Sequence, residues 1–189
     1  MQFEGAWPYL ELIAAANGIA DPLDGRVVEA YWVGNSLLEK ARVAESAAIP
    51  TGAVPHHCFH VFCVYPWSGM LSKGCTEPSL QVLDSCRISW GRVITVEPVV
   101  VLRRSLTWDG RALALGSPVS CQVGAGFVTG LRPGDWVSLH WSRVCDRLSA
   151  PQLRALRRYT IRHLRLANAV MSTRQAPQTS ASATSMTSK

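Results

Sequence analysis

An α+β protein is predicted, with a helical N-terminal unit, a small β-barrel and a C-terminal helix. Three observations predict it. Charge is unevenly divided: of a total of +6, residues 1–85 carry four Lys/Arg against nine Asp/Glu, and residues 86–189 carry fifteen against four. The hydrophobic period changes at Cys86, from helical spacing to alternation. Short apolar runs then follow one another closely, separated by Gly, Pro and Asp-Gly turns, as in a small closed or half-closed barrel. The expected units are 1–85, mainly helical; 86–148, the barrel; 149–171, an amphipathic helix; and 172–189, a disordered tail.

Each element has a local reason. Pro8 to Gly18 reads as a short helix, with Pro in the first turn and Gly just past the end. Asp21-Pro-Leu-Asp24 offers a capped start for a second helix, with Val27, Val28, Tyr31 and Leu38 as its apolar stripe. Gly34-Asn35 interrupts that stripe. His56 to Trp67 is aromatic and β-branched, and periodicity does not choose between a buried strand and a helical turn. Residues Pro78 to Asp84 read either as one helical turn or as an extended lead-in. Strands are expected at Val93–Glu97, Val99–Leu102, Leu106–Trp108, Leu113–Leu115, Val119–Val123, Phe127–Val128 and Trp136–Trp141, with Asp109-Gly110 as a hairpin turn. Ser149 is the candidate N-cap of the last helix, whose Leu153, Leu156, Thr160, Leu164 and Ala167 share one face. After Met171 the Ser, Thr, Ala and Gln composition buries too little apolar surface to order itself.

Several functions are poorly supported. There is no GxSxG and no P-loop. Only Glu97, Asp109, Asp135 and Asp146 are acidic beyond residue 85, and no acid/base pair stands out. No apolar run reaches the ~18 residues of a bilayer span. The N-terminus lacks the basic and apolar segments of a secretory signal, so a cytoplasmic protein with reduced thiols is expected. The six cysteines (58, 63, 75, 86, 121 and 145) form no CxxC pair, which argues against a zinc ribbon or a thioredoxin-type site.

Two groups of residues carry candidate chemistry. The first is Cys86 with His140. Arg87 and Arg92 lie near Cys86 in sequence, and positive charge favours a thiolate. A soft thiolate beside an imidazole holds a transition metal. Simultaneous ligation needs the two side chains close in space: a separation above about 10 Å excludes it, since each donor must lie ~2.0–2.3 Å from the metal. The second is His56-His57-Cys58-x-His60-x2-Cys63. On a helix, His56, His60 and Cys63 share a face; on a strand, His56, Cys58 and His60 do, with His57 and Cys63 on the other. The helical option gives three ligands for a metalloenzyme. In addition, Arg154, Arg157, Arg158, Arg162 and Arg165 make the last helix basic, as a solvated face or for docking to an acidic partner. With Trp90, Trp108, Trp136 and Trp141 they also allow single-stranded nucleic-acid binding.

The run Cys86-x4-Gly91-Arg92-Val93 resembles the Met-Cys-x4-Gly-Lys-Val start of the HypC/HupF hydrogenase-formation chaperones. Gly134-Asp135-Trp136-Val137-Ser138-Leu139-His140 is similar to that family's later Gly-Asp-Tyr-Val-x-Val-His. The resemblance covers residues 86–165 and implies an OB-like barrel followed by a helix. It also implies a non-enzymatic maturation chaperone in which Cys86 and His140 carry iron with cyanide and carbon monoxide ligands. The implied partner is the large subunit of nickel–iron hydrogenase or another maturation protein. Cys86 is internal here, whereas the family's cysteine follows the initiator Met, and Trp141-Ser142-Arg143 replaces the family's Gly-Phe-Ala. The whole chain also looks like a bacterial family associated with hydrogenase gene clusters.

Overall fold

The computed structural model describes residues 5–46, 49–71 and 73–175. Helix α1 (Trp7–Ala16) carries Pro in its first turn, and Gly18 follows its end with φ 67°. Helix α2 (Gly25–Trp32) is capped by Asp24, whose carboxylate accepts from the Arg26 N–H. Gly34, at φ 96°, ends that helix as the interruption predicts, and a 3-10 turn (Ser36–Glu39) follows. The aromatic segment that periodicity left open is helical. It opens as α3 (His57–Phe59), capped by the His56 ring, and continues into a π-helical turn (His60–Val64). Helices α4 (Trp67–Leu71) and α5 (Thr76–Cys86) complete the first part.

Five antiparallel strands form one sheet in the order β3-β2-β1-β4-β5: β1 (Ser89–Val96), β2 (Val99–Trp108), β3 (Leu113–Gln122), β4 (Trp136–His140) and β5 (Arg143–Arg147). The sheet is not closed into the expected barrel. Strands β3 and β5 lie at opposite edges, and after β3 the chain runs through the Gly- and Pro-rich stretch 123–135. An isolated bridge, Gly124↔Arg143, links the two ends. Leu106–Trp108 is not a separate strand but the end of β2, beyond a bulge at Arg104/Leu106. Leu113–Leu115 and Val119–Gln122 likewise merge into β3, where Pro118 is tolerated because the strand is an edge. Phe127 is fully exposed and in no strand. Strand β5 was not anticipated: it is reached by a turn in which Trp141 (φ 47°) and Ser142 (φ 58°) take left-handed conformations without glycine.

Helix α6 (Ala150–Gln175) outruns its expected end at residue 171. Residues 172–175 thus belong to the helix, and the rest of the expected tail lies outside the described residues. Ser149 and Gln152 form a reciprocal capping box: the Ser149 N–H donates to Gln152 Oε1 at 2.9 Å, and the Gln152 N–H to Ser149 Oγ at 3.4 Å. The predicted stripe Leu153, Leu156, Thr160, Leu164 and Ala167 is buried throughout. It knits the molecule together. Leu156 packs with Val33, Ile88 and Trp90, Leu164 with Phe62, Leu83 and Leu113, and Tyr159 joins the α1–α2 core. The expected boundary after residue 85 falls inside α5, and these clusters mix residues from both sides of it. Among the described residues no helix is long and apolar enough to cross a membrane.

Candidate metal centre

The last carbonyls of a helix have no partner within it, and the end of α5 uses two of them to gather distant residues. Ser85 O accepts from the Trp141 N–H at 2.9 Å, which pins the β4–β5 turn and brings His140 to the helix end. Cys86 O lies 2.8 Å from His57 Nε2, which brings in the first residue of α3. His57, Cys86 and His140 each present one donor atom, and the three atoms lie within 4.8 Å of one another. The imidazole centroids of His57 and His140 are 5.5 Å apart, and Trp32 packs against both rings at 5.1 Å.

The helix end is itself anchored. Arg87, 1% exposed, donates to Asp84 from Nε (3.1 Å) and Nη2 (2.9 Å), and to Arg104 O at 2.6 Å. Asp84 also accepts from Arg103 and from the Leu106 N–H. This network clamps α5 to β2 and fixes Cys86 between Ser85 and Arg87.

Burial sets the protonation states. It holds His57 down to about 4, partly offset by its bond to the Cys86 carbonyl. It also lowers His140 and raises the Cys86 thiol. The expected activation of Cys86 by nearby arginines is not found. Arg87 is turned to Asp84, and Arg92 is exposed. The site therefore presents two neutral imidazoles and a protonated thiol. Neutral imidazole is the ligating form; the thiol must lose its proton to ligate.

Two imidazoles and a thiolate suit zinc, iron, nickel or copper. His140 Nε2 is buried with no hydrogen-bond partner, as are His56 Nε2 and both ring nitrogens of His163. Three protein donors leave room for exogenous ligands.

Of the residues expected from sequence, Cys86 and His140 are brought together, far inside the 10 Å limit. The His56, His60 and Cys63 set is not. His56 is buried between Tyr159 (5.3 Å) and His163 (5.6 Å), its Nδ1 capping the Cys58 N–H. His60 faces Tyr31, 3.3 Å from its hydroxyl, and Cys63 points toward His163 O. The π turn shifts the register after His60, so the i, i+4, i+7 spacing no longer defines one face. Burial also raises the Cys63 thiol to about 12. The candidate donor that the sequence did not single out is His57. Its signal was the His56-His57 doublet, since neighbours on a helix point about 100° apart and one must face away from the other.

The arginines of α6 do not form one open face either. Arg157 lies over Trp136 (4.9 Å) and Trp90 (5.6 Å), and Arg162 donates to Gly52 O; Arg154, Arg158 and Arg165 are exposed. Trp90 is buried and Trp136 half-buried, so of the four tryptophans Trp141 is the exposed one.

The fold and site define an α+β protein with a candidate two-histidine, one-cysteine centre at a helix C-terminus. The chain belongs to the family of unknown function DUF6390, whose model matches residues 1–49 and 44–174. No curated protein and no solved structure matches it.

Proposed function

We propose that this protein is a non-enzymatic accessory factor that holds a transition metal through His57, Cys86 and His140 and passes it to a partner protein. The observation that carries the reading is the convergence, within 4.8 Å, of Cys86, His140 and a third donor from a separate helix. A lone cysteine or histidine is usually structural; three donors meeting at one helix end support a ligand set. The resemblance of the Cys86 and His140 motifs to hydrogenase-formation chaperones supports a narrower form. In that form the cargo is iron with cyanide and carbon monoxide ligands, and the recipient is a nickel–iron hydrogenase large subunit.

The chain's own residues would divide the work. Cys86 supplies the thiolate and gives up its proton. His57 and His140 supply neutral nitrogen donors. Trp32 covers both rings and keeps water from one side. Single-stranded nucleic-acid binding is less supported, because Arg157 covers Trp90 and Trp136, two of the four candidate indoles, and of the four Trp141 is the exposed one. The test is metal analysis after anaerobic purification, paired with hydrogenase activity in the host. Stoichiometric metal in the wild type, lost in Cys86→Ala and His140→Ala, is expected. Wild-type protein without metal sinks the site. Metal bound but unchanged hydrogenase maturation in Cys86→Ala sinks the delivery role.

A further inference from the structure

His57 uses both ring nitrogens, and its partners fix the proton on each. The Cys86 carbonyl only accepts, so His57 Nε2, at 2.8 Å, carries the proton. In neutral imidazole the other nitrogen is then bare. Nδ1 therefore accepts from the Tyr31 hydroxyl at 3.2 Å. Tyr31 has one proton, already given to His57. Its 3.3 Å contact with His60 Nδ1 is consequently His60 N–H donating to the Tyr31 oxygen. The hydrogen bonds run in one direction: His60 to Tyr31 to His57 to the Cys86 carbonyl.

That direction conflicts with ligation. Nε2 is the nitrogen that faces Cys86, through its carbonyl at 2.8 Å, and a ligating nitrogen cannot keep its proton. We infer that Tyr31 is the positioning residue of His57, and that ligation by His57 Nε2 reverses the His60–Tyr31–His57 hydrogen bonds. With Nε2 ligating, His57 gives up its hydrogen bond to the Cys86 carbonyl and turns from it, carries its proton on Nδ1 and donates that proton to the Tyr31 oxygen. The Tyr31 hydroxyl turns to His60 Nδ1, and His60 holds its proton on Nε2. The protons balance: each of the three residues keeps one and none changes charge. His57 releases a proton from Nε2, and His60 takes one up at Nε2. The proton lost from the Cys86 thiol is separate.

The surroundings suit this role. Tyr31 is buried, edge-on to His57 (5.5 Å, 86°) and stacked on Tyr9 (5.9 Å, 16°), which holds its hydroxyl between the two imidazoles. His60 packs against the partly exposed Tyr65 at 4.4 Å, which puts the far end of the chain near the surface. A partner on the second ring nitrogen orients a ligating histidine, and its loss costs about 10–100-fold in metal affinity.

The inference rests on the proposed metal site, and one experiment separates the two. The full chain is labelled with nitrogen-15 histidine, and imidazole tautomers are read by NMR, metal-free and with zinc. Zinc affinity is measured in parallel by competition with a chelator. Metal-free protein is expected to show His57 protonated on Nε2 and His60 on Nδ1. Zinc is expected to move the proton of His57 to Nδ1 and that of His60, a non-ligand, to Nε2. In Tyr31→Phe, zinc binding should weaken by about 10–100-fold, and His60 should no longer respond. An unchanged His60 tautomer on zinc binding overturns the inference, as does wild-type affinity in Tyr31→Phe. Wild type that binds no zinc overturns the metal site and the reversal with it. A metal-free His57 protonated on Nδ1 refutes the hydrogen-bond assignment even if the site binds zinc. Should Tyr31→Phe not fold, the wild-type tautomers alone uphold or overturn the reversal.

Discussion

Asp84→Asn tests whether the clamp beneath Cys86 holds the helix end. Asp84 is the anion for Arg87, which is 1% exposed, and for Arg103; it also accepts from the Leu106 N–H. Asparagine keeps the shape and removes the charge. The Arg87 guanidinium is then buried with neutral acceptors only, the amide oxygen at position 84 and the Arg104 carbonyl. Breaking a buried ion pair by removing one partner costs about 3–5 kcal/mol. For a chain of this size that lowers the melting temperature by about 6–20 °C, at about 2–4 °C per kcal/mol. The assay is urea unfolding followed by circular dichroism and tryptophan fluorescence. The midpoint should fall with no change in slope. The double variant Asp84→Leu/Arg87→Met removes the buried Arg87 charge, leaves only Arg103 without its anion, and should recover part of the loss. A loss in Asp84→Asn below about 0.5 kcal/mol, the scatter of ordinary surface changes, would refute the reasoning.

Two further predictions concern protons. His163 and His57 are held by burial to about 3 and about 4, below the usual value near 6.5. Between those values and 6.5 the unfolded chain binds more protons than the folded one. Stability should therefore be fully present above about pH 6.5 and fall as pH drops toward 4. Each group contributes on the order of 2 kcal/mol at pH 4.5; urea midpoints at pH 7 and 4.5 check it, and equal midpoints would contradict it. Zinc binding should show the complementary trend. Because burial raises the Cys86 thiol, each metal should displace one proton, so affinity should climb about tenfold per pH unit around neutrality. Cys86→Ser should flatten that slope in a chelator competition series.

The helical half and the strands were largely legible because their signals are local. Asp24, Gly34, Ser149 and the α6 stripe each act through neighbours in sequence. The openness of the sheet was not legible, because closure depends on whether the two edge strands meet. Nothing in the alternation of β3 reports where its free edge lies. Cys86 and His140 were found through paired motifs. His57 was not, because its role depends on how the end of α5 packs against α3. Regular helical spacing puts His56, His60 and Cys63 on one face, and the π turn, one residue out of step, breaks that face. The arginines of α6 read as one basic face, yet Arg157 is committed to Trp90 and Trp136, a tertiary contact without a sequence period.

The two carbonyls that close the end of α5 have a consequence for the order of events during synthesis. His57 emerges first, Cys86 after it, and His140 well after both. In the folded chain the pairing of β1 with β4 brings the turn that holds His140 to Ser85. Closing that loop carries an entropic cost that the fold must meet before the three donors converge. A nascent or half-folded chain therefore offers at most scattered single donors, which bind weakly and let go. The three-donor site exists only once the last strands have joined the sheet. On the proposed function, occupancy would then report that the molecule is complete.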